Sequence, residues 1–453
     1  MLFAKKRNRS CNIKRDNLRG GGIVLALSYR NFRIYTAGNA PSLIGVWAQR
    51  LASGWMMWEM TKSPAMLGWL GFVDLIPFVV VSPFAGLLTD KIDKIILARV
   101  IKIMAMSVAI LLTILTFAGK ISPELILVLG FLTGLTDGLF QPVRTSLASV
   151  LVPKKILASA VAINSLVFNM ARFIGPALAG LILTVVSAGD IADNSELAVP
   201  VKIASQLTDV GWVFLCAVVS YLFFLIALFS ISLENDVKLK TGRTRVFPEL
   251  LEGVQYAFRH PAIGPLFVIV ASIAIFLRPV MELLPGFADE VLGRGKEGYV
   301  TLVSMIGLGA MFTGFWIGWR GRIQGLLRIG TISVGAMAIS IILFALTKSY
   351  SVAIVCMLVF GGSQMLIGTS FQTMVQTSAE ANIRGRVMSI FGLLWVGTIA
   401  FGAAIIGSLG ELYGLPWPTA FFAVFGMCIC GFGLKFYRQI KQTVEEDTVA
   451  ETE

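Results

Sequence analysis

The sequence predicts an all-α polytopic membrane protein with twelve transmembrane helices in two six-helix, pseudo-symmetric halves. Three observations carry this expectation. Of the 453 residues, 56% are hydrophobic and 14% charged, with a mean hydropathy of +0.80, whereas a soluble domain carries roughly 25% charged residues. Apolar windows of about 20 residues, the length that crosses a bilayer as a helix, recur along the chain. Features of the first half also return in the second, at a shift of about 227 residues.

The windows place helices at 34–60, 66–88, 95–118, 123–148, 156–187, 209–232, 263–290, 298–319, 326–347, 350–376, 386–409 and 416–437. Ahead of them, residues 1–33 form a basic N-terminus with Lys5, Lys6, Arg7, Arg9, Lys14, Arg15 and Arg19. Such a cluster suits anionic lipid, and no nucleic-acid partner is expected. The first window follows Arg30 and Arg33 directly and is too long for a signal-peptide core. The first six helices make one half, 34–232, and the last six make the other, 263–438.

Between the halves, 233–262 reads as a cytoplasmic linker carrying Lys238, Lys240, Arg243, Arg245 and Arg259. Within it, 248–258 has helical spacing of apolar residues and is expected to lie on the membrane surface. The sole histidine, His260, reads as solvated. An acidic loop with Asp190, Asp193 and Glu196 follows helix five, and 439–453, with Glu445, Glu446 and Asp447, is an acidic cytoplasmic tail.

Loops retained in the cytoplasm keep Lys and Arg. Of the 38 basic residues, the outside loops of this layout hold Lys62, Lys120, Lys202, Arg294, Lys296 and Lys348, while Arg50, Arg172 and Arg278 fall within the membrane. Both termini are therefore expected inside, in the cytoplasmic (inner) membrane. The cysteines, Cys11, Cys216, Cys356, Cys428 and Cys430, give no metal-ligand or disulfide spacing, and no cofactor is expected.

A charged turn between helices two and three organises the first half: 86–94 reads GLLTDKIDK. The glycine one turn before Asp90 and Lys91 lets the helix end pack closely while its charges reach water. A second copy, 314–322, keeps the leading glycine and the trailing base but has Gly318 where Asp90 stands. Gly175 and Gly180 on helix five likewise fall opposite Gly402 and Gly407 on helix eleven. Two such repeats imply a cavity between halves and alternating access around a site near the midplane.

Charges inside a bilayer cost several kcal/mol unless paired or hydrated, so they are candidate functional residues. Arg50 and Asp74 lie at similar depth and suit either a static bridge or a protonatable pair. Asp137 and Arg172 form a second candidate couple, either an interhelical bridge or a proton or substrate contact. Asp137 borders the Gly130, Gly134, Gly138 row, a close-packing pattern. Arg278 and Glu282 stand four residues apart around Pro279, which weakens the helix, so they suit a substrate contact, a gate or an intrahelical pair. Trp47, Trp55, Trp58, Phe140 and Trp395 suit either a cavity lining or packing.

Taken in order, several stretches carry a resemblance: 31–35 (NFRIY) with Gly38 and Asn39; 47–50 (WAQR) with Gly54 and Trp55; 86–94; 140–144 (FQPVR); 172–176 (RFIGP); Arg278 and Pro279 with Glu282 and Pro285; and 384–389 (RGRVMS). The chain resembles the major facilitator superfamily, in its branch of enterobactin-type siderophore exporters and macrolide-efflux proteins. By that resemblance Gly86, Asp90, Lys91 and Lys94 form a conformational latch, and Gly175 with Pro176 a bend in helix five that controls leak. The chain departs from the family pattern at Asp93, usually glycine, and at Ala171 and Ala179, also usually glycines.

The resemblance implies a secondary active exporter of a small organic molecule, coupled to protons by antiport. A siderophore is the favoured substrate, with a multidrug or macrolide efflux pump as the alternative and import as a third possibility. No phosphate-binding loop of the GxxxxGK[ST] type is present, so ATP is not the expected energy source. An intramembrane enzyme would need a nucleophile with its base or a metal-binding His pair, so no enzyme is expected.

Overall fold

The computed structural model describes residues 22–191, 199–231, 246–320, 324–380 and 383–433, and these are helical without strands. The basic cluster from Lys5 to Arg19, Asp193, Glu196, Lys238, Lys240, Arg243, Arg245, Arg322 and the acidic tail lie outside the described residues. The helices are α1 (Gly22–Ser28), α2 (Arg30–Thr61), α3 (Pro64–Lys91), α4 (Lys94–Phe117), α5 (Pro123–Leu151), α6 (Leu157–Ile191), α7 (Val199–Ser230) and α8 (Val246–Arg259). They continue with the interrupted α9 (Ile263–Val291) and with α10 (Gly295–Arg320), α11 (Leu326–Leu346), α12 (Tyr350–Ser378), α13 (Arg384–Tyr413) and α14 (Pro416–Gly433).

Ten of these helices are long and apolar enough to cross a membrane. The other two of the twelve expected are α2, whose 32 residues carry many polar side chains, and α14, which is apolar but only 18 residues long. The short helix α1 falls inside the stretch expected as a basic tail.

Local chemistry sets the boundaries. Ser63 and Ser122 each precede a proline, and each accepts a hydrogen bond from a backbone N–H of the first turn, Met66 and Leu125 respectively; Ser at the cap with Pro at the first position is a strong start signal. Asp93, the departure from the family turn, caps α4 by accepting from the N–H groups of Ile95 at 2.8 Å and Ile96 at 3.0 Å. His260, expected to be solvated, is partly exposed and also caps: its Nδ1 accepts from Ala262 N–H at 3.2 Å and Ile263 N–H at 3.4 Å. The surface helix α8 packs on α13, with Arg386 pairing Glu252 at 2.6 Å, and leaves Leu251 and Phe258 exposed.

The helix pairings repeat. In the first half α3 packs on α5, α4 on α5 and α7, and α2 on α6 and α7; in the second α10 packs on α12, α11 on α12 and α14, and α9 on α13 and α14. The contacts between halves repeat as well, since α3 meets α13 and α6 meets α10. Glycines make this possible, because without a driving force from water small residues let helices approach closely in lipid. A Cβ on Gly175 would strike the backbone of α2 and one on Gly180 would strike Val300 of α10. Their repeat partners do the equivalent: Gly402 abuts Ile275 and Pro279 of α9, and Gly407 abuts Pro64 and Gly68 of α3. The row Gly130, Gly134, Gly138 lies in the same way on Leu70, Asp74 and Phe78 of α3.

Candidate functional site

Between the halves lies a cavity of about 460 Å³, lined by α2, α3, α5 and α6 on one side and α9, α10, α12 and α13 on the other. Arg50, Asp74, Asp137, Arg172, Arg278 and Glu282 all reach its wall, together with Arg144, Trp47, Phe168, Tyr299 and Trp395. Of the tryptophans weighed from sequence, Trp47 and Trp395 line the cavity, whereas Trp55 and Trp58 are buried at 7% and 2% exposure.

Arg50 holds the centre. Its Nη2 lies 3.0 Å from Asp74 Oδ2 on the neighbouring α3 and 3.3 Å from Glu282 Oε1 on α9, across the interface between halves. Gly71 makes room for this bridge, since a Cβ there would come within 2.9 Å of Glu282 Cγ. The main chain of α9 turns to the same end. Pro279 and Pro285 interrupt it, giving a π turn at Ile273–Leu277, a 3-10 turn at Arg278–Met281 and a second π turn at Phe287–Val291. Proline deletes a helical hydrogen bond and crowds the preceding turn, and broken helices in membranes occur where they line a cavity. Arg278 and Glu282 therefore do not pair with each other. Arg278 Nη1 donates to the Trp395 carbonyl, and Glu282 goes to Arg50.

The Asp137–Arg172 bridge considered from sequence does not form. Arg172 Nη2 donates across the interface to Gln364 Oε1 at 2.5 Å and lies 3.4 Å from Met281 Sδ. The cations that act on Asp137 are Lys102, Arg50 and Arg144. Lys102 and Arg144 are the residues that sequence reasoning missed, having counted both among cytoplasmic helix ends. Lys102 lies eight residues inside α4, about 12 Å along its axis, and is 3% exposed. Its ammonium sits among the rings of Phe140, Tyr221 and Phe224, at 4.3, 5.2 and 5.6 Å. Depth along the helix was the signal that could have found it.

The cavity is closed at the end that carries the α2–α3 turn. Asp289 Oδ2 receives Lys62 Nζ at 2.9 Å and Trp58 Nε1 at 2.8 Å. Ser63 Oγ donates to Glu411 Oε2 at 2.6 Å, and Lys296 pairs with the buried Asp209 at 3.2 Å. Burial alone would lower the proton affinity of Lys62, but its hydrogen bonds to Asp289 and Glu59 outweigh that and hold it above its ordinary value. From this closure the lining runs to Gln141, Arg144 and Gln372, toward the end that carries the α3–α4 turn.

At that second end lie the latch residues. Lys91 ends α3 and is exposed, and Lys94 begins α4. The surroundings of Gly86 and Asp90 lie outside the described side chains. Helix α6 is continuous through Pro176, and Gly175 seats it on Trp47 and Ala48 of α2.

A two-fold repeated helical bundle with a charged, aromatic-lined cavity between its halves is the architecture of a membrane transporter. The profile of the Major Facilitator Superfamily matches residues 36–397, and the chain belongs to that family. It is 22% identical over 405 residues to the staphyloferrin A transporter of Staphylococcus aureus (strain NCTC 8325 / PS 47), covering 89% of this chain and 95% of that one. To the enterobactin exporter EntS of Escherichia coli O1:K1 / APEC it is 24% identical over 408 residues, covering 87% and 88%.

Solved structures share the fold. A bacterial homologue of the human lysosomal transporter Spinster, described as inward-facing and occupied, superposes with a TM-score of 0.67 at 14% identity, over 92% of this chain and 98% of that one. The inward-open xylose transporter XylE of E. coli gives 0.65 at 14%, over 90% and 96%. The chain is a multi-pass transporter, and membership of this family answers the enzyme alternative.

Proposed function

We propose that the protein exports a siderophore across the cytoplasmic membrane by proton antiport, with the halves 34–232 and 263–438 rocking about the cavity and 233–262 as their cytoplasmic tether. Two relatives that align over most of their length are a siderophore transporter and a siderophore exporter. The distribution of Lys and Arg favours both termini inside, which makes the α3–α4 end cytoplasmic. The cavity then faces the side from which an exporter loads. In this reading Asp90, Lys91 and Lys94, with Gly86, latch the cytoplasmic end in the other state, and Gly175 with Pro176 keeps α6 seated so that protons do not leak.

One observation carries the coupling: a single guanidinium is shared between Asp74 of its own half and Glu282 of the other. A carboxylate that takes a proton loses its charge and most of its hold on Arg50. Protonation of Glu282 thus releases the midplane tie between halves, and its deprotonation restores it.

The test is accumulation in a strain deleted for this gene, with and without a proton uncoupler, using both a siderophore panel and a drug panel. Wild type is compared with Glu282→Gln, Asp74→Asn and Asp137→Asn. Siderophore efflux that stops with uncoupler and with at least one of the three substitutions supports the reading. Efflux indifferent to uncoupler and to all three sinks it.

A further inference from the structure

Three of the cavity's four arginines lie on aromatic rings, without carboxylate partners. The guanidinium carbon of Arg172 is 5.3 Å from the ring centre of Trp47, that of Arg278 is 4.4 Å from Trp395, and that of Arg144 is 4.8 Å from Phe168. Among the described residues none of the three has an acid within ion-pairing distance. Arg278 also keeps its Nε buried without an acceptor. Asp74, Asp137 and Glu282 are the acids on the wall, and Arg50 engages two of them. Asp137 is left facing three cations.

A ring face steadies a guanidinium electrostatically but takes none of its N–H groups. Arg172 gives one Nη to Gln364 and Arg278 one to the Trp395 carbonyl; their remaining N–H groups, and those of Arg144, can meet a planar acceptor, and carboxylate-like groups match such a fork in pairs. Burying such groups without an anion is unfavourable, so the wall is incomplete when empty. Arg172 stands on α6 and Arg278 on α9, so an anion held by both spans the two halves.

We propose that the cavity takes organic anions bearing two or more acidic groups, carboxylate or acidic hydroxyl, held by Arg172 and Arg278 from opposite halves with Arg144 as a third contact, and that it rejects lipophilic cations. The proposal rests on the transport reading and deepens it by naming the substrate class. It also separates the two exporter alternatives, because a cationic drug meets an excess of fixed positive charge here.

The full chain in lipid nanodiscs is titrated at constant ionic strength with benzene-1,3,5-tricarboxylate and, separately, with tetraphenylphosphonium. Tryptophan fluorescence reports binding, since Trp47 and Trp395 back the arginines. The tricarboxylate is expected to bind saturably, the cation not to bind. Arg172→Gln and Arg278→Gln should each weaken the tricarboxylate by about tenfold or more, the size of one charged hydrogen-bonded contact. Arg172→Lys and Arg278→Lys, which keep the charge but lose the fork, should fall between, and the melting temperature of each variant shows that the bundle has formed. If wild type does not bind the tricarboxylate, if the Arg172→Gln/Arg278→Gln protein binds it unchanged, or if tetraphenylphosphonium binds more tightly, the anion assignment is overturned. Uncoupler-sensitive efflux is measured separately, so a transporter with the wrong substrate class is distinguishable from a protein that does not transport.

Discussion

Replacing Glu282 by glutamine removes one arm of the Arg50 bridge while keeping the size of the side chain. At 3.3 Å and an effective dielectric near 20, the attraction is about 5 kcal/mol. Arg50 is 34% exposed and Glu282 20%, so cavity water screens most of it, and Asp74 at 3.0 Å keeps the guanidinium paired after the substitution. A net loss of about 1.5 kcal/mol remains, roughly a tenfold shift against the conformation in which the bridge exists. The assay uses a background in which Cys11, Cys216, Cys356, Cys428 and Cys430 are replaced by serine, with one new cysteine at Leu67 or at Gln372. Both positions line the cavity, Leu67 near the closed end and Gln372 toward the other. With an impermeant thiol reagent on nanodiscs, Glu282→Gln should speed labelling at 67 by about tenfold and slow it at 372. Rates unchanged at both positions would show that the bridge does not bias the halves.

Further outcomes are expected. Lys102→Met should lower the melting temperature by the equivalent of about 2 kcal/mol, because Asp137 loses a balancing cation, and adding Asp137→Asn should recover most of the loss; simple additivity would mean that the two charges do not interact. Gly134→Val drives a side chain into the Asp74 backbone and should cost about 3 kcal/mol or abolish folding. Gly318→Ala, with nothing within 4 Å, should leave the melting curve unchanged. Lys62→Met should make a cysteine at position 67 reactive at neutral pH by leaving the Asp289 carboxylate without its cation. In the parent the raised proton affinity of Lys62 means that its contribution is complete below the ordinary lysine value of 10.5 and is lost only as pH rises through the higher folded value. The Lys62 contribution to the closure should thus be flat across the neutral range, and a change in reactivity there belongs to other groups.

The fold was largely readable because its signals are local or periodic. Apolar windows gave the helices, and four glycines separated by one shift gave the duplication, which the structure meets as Gly175 on α2 against Gly402 on α9, and Gly180 on α10 against Gly407 on α3. Charges at depth were readable as members of the site, yet their partners were not. Spacing on an unbroken helix puts Arg278 and Glu282 together, whereas Pro279 and Pro285 turn α9 so that each faces a different helix. Partner choice across the interface, such as Arg172 to Gln364, depends on how two halves seat against each other, which no window of sequence contains. Lys102 and Arg144 escaped for another reason: counting bases for orientation assigns every Lys and Arg near a helix end to a loop, and that rule ignores how many residues deep each one lies.

An anion on Arg172 and Arg278 and a proton on Glu282 are not independent. Glu282 is paired with Arg50 and shares the cavity wall with Arg172 and Arg278, and a nearby anion favours the protonated form of a carboxyl group. By direct electrostatics alone, substrate and proton would bind together, which is the logic of co-transport. Antiport requires that they exclude each other, so under the proposed function the proton must act on which end opens, through the Arg50 bridge, while the anion is held by other arginines. That division is measurable. With the closed end locked by a crosslink between cysteines at positions 63 and 411, whose side chains are in contact, benzene-1,3,5-tricarboxylate affinity should change little with pH, whereas in the unlocked protein the rate of alternation should depend on pH and lose that dependence in Glu282→Gln. A tricarboxylate affinity that climbs steeply as pH falls in the locked protein would put proton and anion on the same side of the cycle, and export by antiport would give way to coupled movement in one direction.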